Sequence, residues 1–421
     1  MTDIVLGLDI GTSGVRIAAT AADNTLIAMA VAPIVAPLQN GGRIMQDPAI
    51  WWEAIGVAMA GLDLAGHRVR AIAIDGTSGT ILAVDAAGDP VSLASMYNDV
   101  AEAADLAMVA AEAPRETAAL GSTSPLARAL PLRGEGARII HQADWIMGRF
   151  SGDFTLTDEN NALKTGYDPV TRRWPEWIAR TGLDPVILPR VVAAGTRTGT
   201  ILPDVARRFA LPDDVAIVAG TTDGCAAFLA SGAADPGDGV TSLGTTLTLK
   251  LLSATPVFAP EFGIYSHRIG DQWLAGGASN TGGGVIGDYF SRDDLVRLTP
   301  LLDPDHPTGL DYYPLRKPGE RFPVNDPAFP PRLDPRPADD RVFLQAMLEG
   351  IAAIEAQAYG KLAELGATPL ASIRSAGGGA ANPAWTRMRL EALGVPERAS
   401  LSEHAAVGTA RLAWRGLGHA N

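Results

Sequence analysis

Thiols are almost absent from this sequence: among its 421 residues only Cys225 is a cysteine. An intramolecular disulfide is therefore impossible, a zinc site built from several cysteines is excluded, and a reducing cytosol is the expected compartment. Lysine is scarce too, at Lys164, Lys250, Lys317 and Lys361, and the net charge is −13. No basic run and no basic-and-aromatic stretch is available to track a phosphate backbone, so nucleic acid is not an expected partner. No segment approaches the roughly 20 apolar residues of a membrane span, and the start carries Asp3 and Asp9 where a basic leader would stand, so no membrane partner is expected. A GxxxxGK[ST] loop is missing as well, which excludes a P-loop. Gly282 to Gly287 fit GxGxxG, but the acid about 20 residues on, Asp303, falls in a Pro-rich stretch, so a dinucleotide fold is not expected.

What is present is globular material, with 47% hydrophobic and 19% charged residues. The length exceeds what one core usually supports, so two domains with a cleft between them are expected. The opening IVLGLDIGTSGVRIAATAADNTLIAMA predicts three antiparallel strands joined at Gly11 to Gly14 and at Ala22-Asp23-Asn24. A helix over Pro48 to Leu64, the strand VRAIAID, the loop GTSGT and the strand ILAVD follow, and residues 99 to 150 look mostly helical. Near residue 215 the pattern restarts with DVAIVAG, the turn TTDG and the helix CAAFLASGAA, and a domain boundary is placed at 218/219. Residues 300 to 340 are Pro-rich and irregular, which is usual for a functional or mobile loop.

Four local patterns could carry chemistry. In the first hairpin Gly11 and Gly14 allow a tight turn with exposed N–H groups, Thr12 and Ser13 add hydroxyls and Arg16 a positive charge, so the loop can hold phosphate oxygens. Asp9, at the end of the preceding strand, could hold hydrated Mg²⁺. The same residues also make a plain β-hairpin. The hairpin recurs as Ser242-Leu243-Gly244-Thr245-Thr246, without the carboxylate. SAGGGAAN, from Ser375 to Asn382, follows a strand and enters a helix, so its bare backbone can approach a flat ligand; a common strand-to-helix turn looks the same. Asp223, in GTTDGCAAF, stands where an acid caps a helix and equally where a base could meet a sugar hydroxyl.

Taken in order, GLDIGTSGVR, YDPVTRRW, GTTDGCAAF, SLGTT, GERFP and EGIAAIEAQAYGKLAELGA leading to SAGGGAANPAW resemble the FGGY carbohydrate kinases. That resemblance implies an α/β chain of two ribonuclease H-like domains of the actin, Hsp70 and hexokinase superfamily. Residues 1–218 would form the sugar-binding domain and 219–421 the nucleotide-binding domain. It implies Asp223 as catalytic base and Asp9 between the sugar and a water-bound Mg²⁺. Gly11, Thr12, Ser13, Arg16, Gly244, Thr245, Thr246, Gly282, Gly378, Gly379 and Asn382 would bind ATP. Xylulose kinases read Gly-Gln-Met-His where this chain has Gly76-Thr77-Ser78-Gly79, and glycerol kinases carry an Arg-Glu pair there. Ser78 and Asp99 are the expected sugar contacts, and with Met96-Tyr97-Asn98-Asp99 the chain resembles the short D-ribulose kinases. The expected reaction is ATP-dependent phosphorylation of D-ribulose to its 5-phosphate, with D-xylulose or another pentulose or polyol as the alternative acceptor. A non-catalytic sugar-binding protein is the alternative of another class. ATP, Mg²⁺ and a small sugar are the expected ligands, and the chain is expected to be cytoplasmic, as monomer or homodimer.

Overall fold

The computed structural model describes residues 1–419. They divide into two compact units. The first comprises Met1–Gly232, His267–Gly270 and the segment from His404; the second comprises Ala233–Ser266 and Asp271–Glu403. The chain does not divide at 218/219. A cut there would sever the strand Ala216–Thr222, which is paired on both sides within the first unit.

The first unit is built on a six-stranded sheet in the order Arg197–Thr200, Ala216–Thr222, His67–Gly76, Thr2–Ile10, Gly14–Thr20, Leu26–Pro33. The second, third and fourth of these run parallel, and the outer ones are antiparallel to their neighbours. Alternation decides what each face meets. Ile4, Leu6, Leu8 and Ile10 pack with Trp51 and Trp52 of the helix Pro48–Ala60 and Trp145 and Phe150 of the helix Gln142–Ser151. Val5 packs on the other face with Leu229, Ala410, Leu412 and Trp414. The last three belong to the helix Ala405–Gly416, absent from the sequence expectation, whose small residues let it lie very close to the sheet.

Residues 99 to 150 are less helical than expected: Arg138–His141 is a strand in a separate five-stranded antiparallel sheet. In the second unit, Gln272–Ala278, Leu247–Ser253 and Asp238–Leu243 form an antiparallel meander, and Ser372–Ala376 adds in parallel to the last. The first unit uses the same arrangement for its strands 26–33, 14–20, 2–10 and 67–76, so the internal echo in the sequence is a repeat of topology. The 25-residue helix Asp340–Glu364 supplies Phe343, Met347 and Ile351 to the second core. The irregular stretch before it is pinned by Glu320, 2% exposed, whose carboxylate accepts from Ser279 Oγ (2.6 Å), Tyr313 OH (3.1 Å) and the Asn280 and Arg321 amides (2.9 Å each). Among the described residues no helix is long and apolar enough to cross a membrane.

Two glycines set the approach of the Ala405–Gly416 helix. A Cβ at Gly7 would lie 2.0 Å from the Ala406 carbonyl oxygen, and one at Gly408 would lie 1.9 Å from that of Ala226. Gly7→Ala and Gly408→Ala are each expected to lower stability by about 3 kcal/mol, since backbone on both sides leaves nothing to yield. Chemical denaturation reads this directly, and two variants of wild-type stability would show that the helix does not depend on glycine. A second expectation concerns Asp158, which caps the helix Glu159–Leu163 by accepting from the Asn160 and Asn161 amides. Burial, reinforced by the charge of Asp144, pushes its carboxyl up to about 7. The folded state thus holds this proton more tightly than the unfolded chain, so the stability it contributes is present at acid pH and is lost as pH rises. A decline of roughly 1 kcal/mol per pH unit between about pH 4 and 7 is expected. Urea unfolding across that range should show the decline, and Asp158→Asn should make it shallower; stability that rises with pH would contradict the assignment.

Candidate active site

The three central parallel strands of the first unit bring three carboxylates to their C-terminal ends. Asp9 lies directly opposite Asp75 on the neighbouring strand, and Gly76 lies opposite Thr222, the residue before Asp223. Asp223 is the first residue of the helix Asp223–Ala230; the cap position is taken by Thr222. One Asp223 oxygen accepts the Gly224 N–H at 2.6 Å.

Burial forces an unequal sharing of charge here. Asp9 is 5% exposed, and burial raises its carboxyl pKa; Arg16, at 3.4 Å, opposes this, while the charge of Asp223 adds to it. Asp75 is fully buried, and burial followed by the charge of Asp9 drives its carboxyl well above the usual range. The two carboxyl-bearing residues face each other in register, and the Thr409 hydroxyl donates to Asp75. Two acids so placed cannot both ionise. Asp75 holds the proton, and Asp9 keeps the charge that Arg16 can reach. Asp75 was not among the sequence candidates. Its only signal was an acid ending the apolar strand VRAIAID, and its meaning depends on strand register.

Beyond this strand end, hydrogen bonds run in one direction. The Tyr97 amide donates to Thr80 Oγ1 (3.0 Å), the Thr80 and Thr77 hydroxyls bond at 2.6 Å, and the Thr77 hydroxyl and amide both donate to Gln142 Oε1 (2.9 Å each). That fixes the Gln142 amide and leaves its buried Nε2 without a protein partner, as is the buried Ser78 Oγ one residue from Thr77. Buried polar groups left in this way are uncommon and mark places where a ligand or water completes the set. Ser78 thus stays a candidate sugar contact, and Gln142 joins it. Asp99 does not. It is fully buried, and its oxygens accept from Arg43 Nε and Nη2, the Ile44 amide and Ser95 Oγ at 2.6 to 3.1 Å. Its carboxyl, disfavoured by burial, is nonetheless held below the usual range by Arg43 and Ser95. Asp99 ties two segments of the protein together and presents no carboxylate to a ligand.

The first hairpin keeps its expected turn, with the Gly11 N–H donating to the Gly14 carbonyl at 3.0 Å, Thr12 part-exposed and Ser13 exposed. Gly14 is required for a different reason than the turn: a Cβ there would lie 2.8 Å from the Ala32 carbonyl oxygen of the adjoining strand. In the second unit Gly244, Thr245, Gly378, Gly379 and Asn382 line one cavity of about 770 Å³. Leu243, Ile286, Leu344, Leu348 and Trp385 give it apolar walls. Its size and lining suit a base and ribose. Gly282 and Thr246 stand outside the lining. Gly282, at φ 140°, packs against the hairpin so closely that a Cβ would lie 2.8 Å from the Thr245 carbonyl oxygen. Asn382 caps the helix Pro383–Leu393 by accepting the Trp385 N–H at 3.1 Å. Among the described residues no three His, Cys, Asp or Glu side chains group as direct metal ligands.

Residues 239–417 match the FGGY family of carbohydrate kinases, C-terminal domain. A xylulose kinase of Streptomyces coelicolor is 30% identical over 267 residues, covering 59% of this chain and 54% of that protein. The chain therefore spans about half the length of that relative. Two solved structures share the fold. A xyloylose kinase from Brucella ovis superposes with a TM-score of 0.85 at 23% identity, covering 99% of this chain and 91% of that one. A gluconate kinase from Lactobacillus acidophilus gives 0.84 at 16% identity, covering 99% and 90%. The chain has the two-domain α/β fold of these solved kinases, and its residues 239–417 match the C-terminal domain of the FGGY family of carbohydrate kinases.

Proposed function

We propose that this protein transfers the γ-phosphoryl group of ATP to a hydroxyl of a small ketose, and that the ketose is a pentulose. The observation that carries the reading is the placing of Asp223 at the strand ends beside Asp9 and Asp75, whose carboxyls burial pushes up, Asp75 the further of the two. Asp223 accepts the hydroxyl proton as the sugar oxygen forms its bond to the γ-phosphorus and the bond from that phosphorus to the β-phosphate bridging oxygen breaks, leaving ADP. Such a transfer needs alignment and charge stabilisation more than covalent chemistry. Arg16 and the Thr12 and Ser13 groups would stabilise phosphoryl oxygens from the first unit. Gly244, Thr245, Gly378 and Gly379 would hold the nucleotide in the cavity of the second. Mg²⁺, which neutralises phosphate charge when bound, would meet Asp9 through water.

Two acceptors are supported by different observations. The loop Thr77-Ser78-Gly79 departs from the Gln-Met-His of xylulose kinases and favours D-ribulose. The Streptomyces relative, named a xylulose kinase, favours D-xylulose. ADP release measured with D-ribulose, D-xylulose, L-ribulose and glycerol separates these, and also separates a kinase from a protein that only binds sugar. The expected result is pentulose-dependent ADP release that falls by about two to four orders of magnitude in Asp223→Asn, the usual worth of a positioned base. Near-normal turnover in that variant, or ADP release that no sugar accelerates, would overturn the reading.

A further inference from the structure

The cavity of the second unit has more to say about the base it would hold. This step rests on the proposed nucleotide role of that cavity. Its apolar lining includes Leu295, Val296, Pro300, Leu344, Leu348 and Trp385. Such surfaces stack on any base and discriminate little between them. Discrimination must come from the polar side chains that reach the cavity, and their hydrogen-bonding states are visible.

An asparagine reads adenine when its carbonyl accepts from the exocyclic amine while its amide donates to N7. Asn382 offers that pair only in part: its Oδ1 already accepts the Trp385 N–H at 3.1 Å and keeps one lone pair, and its Nδ2 lies 3.5 Å from Thr299 Oγ1, only weakly engaged. The Trp385 indole N–H is likewise spent, on the Leu348 carbonyl at 3.1 Å. Arg292 lines the same cavity, is exposed, and among the described residues makes no ion pair or hydrogen bond. A guanidinium presents parallel donors, the arrangement that matches guanine O6 and N7 bidentately. Adenine offers one acceptor and one donor on that edge, so it gains less from the same group.

We propose that the nucleotide cavity accepts guanosine nucleotides with an affinity within about tenfold of adenosine nucleotides, Arg292 donating to the guanine O6 and N7 edge. The phosphoryl donor would then be a purine nucleoside triphosphate rather than ATP alone. The two purines share ribose and phosphates, so they differ only at the base edge.

Isothermal titration of the full chain with ADP, GDP and CDP tests this without relying on turnover. The expected result is GDP binding within about tenfold of ADP, with Arg292→Ala weakening GDP about tenfold or more and ADP by less than about threefold. Arg292 is exposed, so the variant is expected to fold normally. GDP binding more than about tenfold weaker than ADP in the wild type would overturn the inference and leave the kinase reading intact. Equal weakening of both nucleotides in Arg292→Ala would also overturn it, by placing the guanidinium on the shared ribose and phosphates. If none of the three binds, the nucleotide role of the cavity falls, and this inference with it.

Discussion

Asp9 and Asp75 face each other in register on adjacent parallel strands, and most of the first unit can be read as a response to that constraint. Two buried carboxyls at this spacing allow one full charge. The proton settles on Asp75, the more deeply buried of the two, and the charge on Asp9, which Arg16 reaches. Asp75 then needs a further partner from the far side of the sheet, and Thr409 supplies it. The C-terminal helix is thereby part of the site's support as well as of the core.

That helix can support the site only because it lies close. Gly7 and Gly408 remove the two Cβ atoms that would hold it off, and Ala406 and Ala410 complete a small-residue contact against strand and helix backbone. The polypeptide leaves the first unit at Gly232, builds the second, and returns from His404 to supply this helix. The second unit repeats the meander and its parallel partner strand without the paired acids, and its counterpart of the first hairpin lines a cavity with apolar walls. One topology thus carries charged strand ends in one unit and an apolar slot in the other.

Much of this was legible in the sequence. Apolar runs broken by turn residues made the opening strands readable, and the glycine-hydroxyl hairpins stood out for the same reason. The features that escaped depend on distant partners. Asp99 reads as a sugar contact until Arg43, 56 residues earlier, is seen to hold it. Asp75 is an acid at the end of an apolar strand until the register places Asp9 opposite. The helix Ala405–Gly416 was missed because alanine and glycine mark a close contact only when the facing backbone is known. The boundary was set too early because a restart of the strand pattern looked like a new domain, whereas Ala216–Thr222 completes the old sheet. Gln142 carried no signal, since its importance lies in which of its two amide atoms is already used.

The central claim is that the γ-phosphoryl group ends on a sugar. Phosphorus NMR of the protein incubated with ATP, Mg²⁺ and a pentulose observes that product directly. The account requires a growing phosphomonoester signal, split by the protons of the sugar carbon that bears it, in step with ADP. Inorganic phosphate as the only new product, or no new signal with any pentulose, would contradict it.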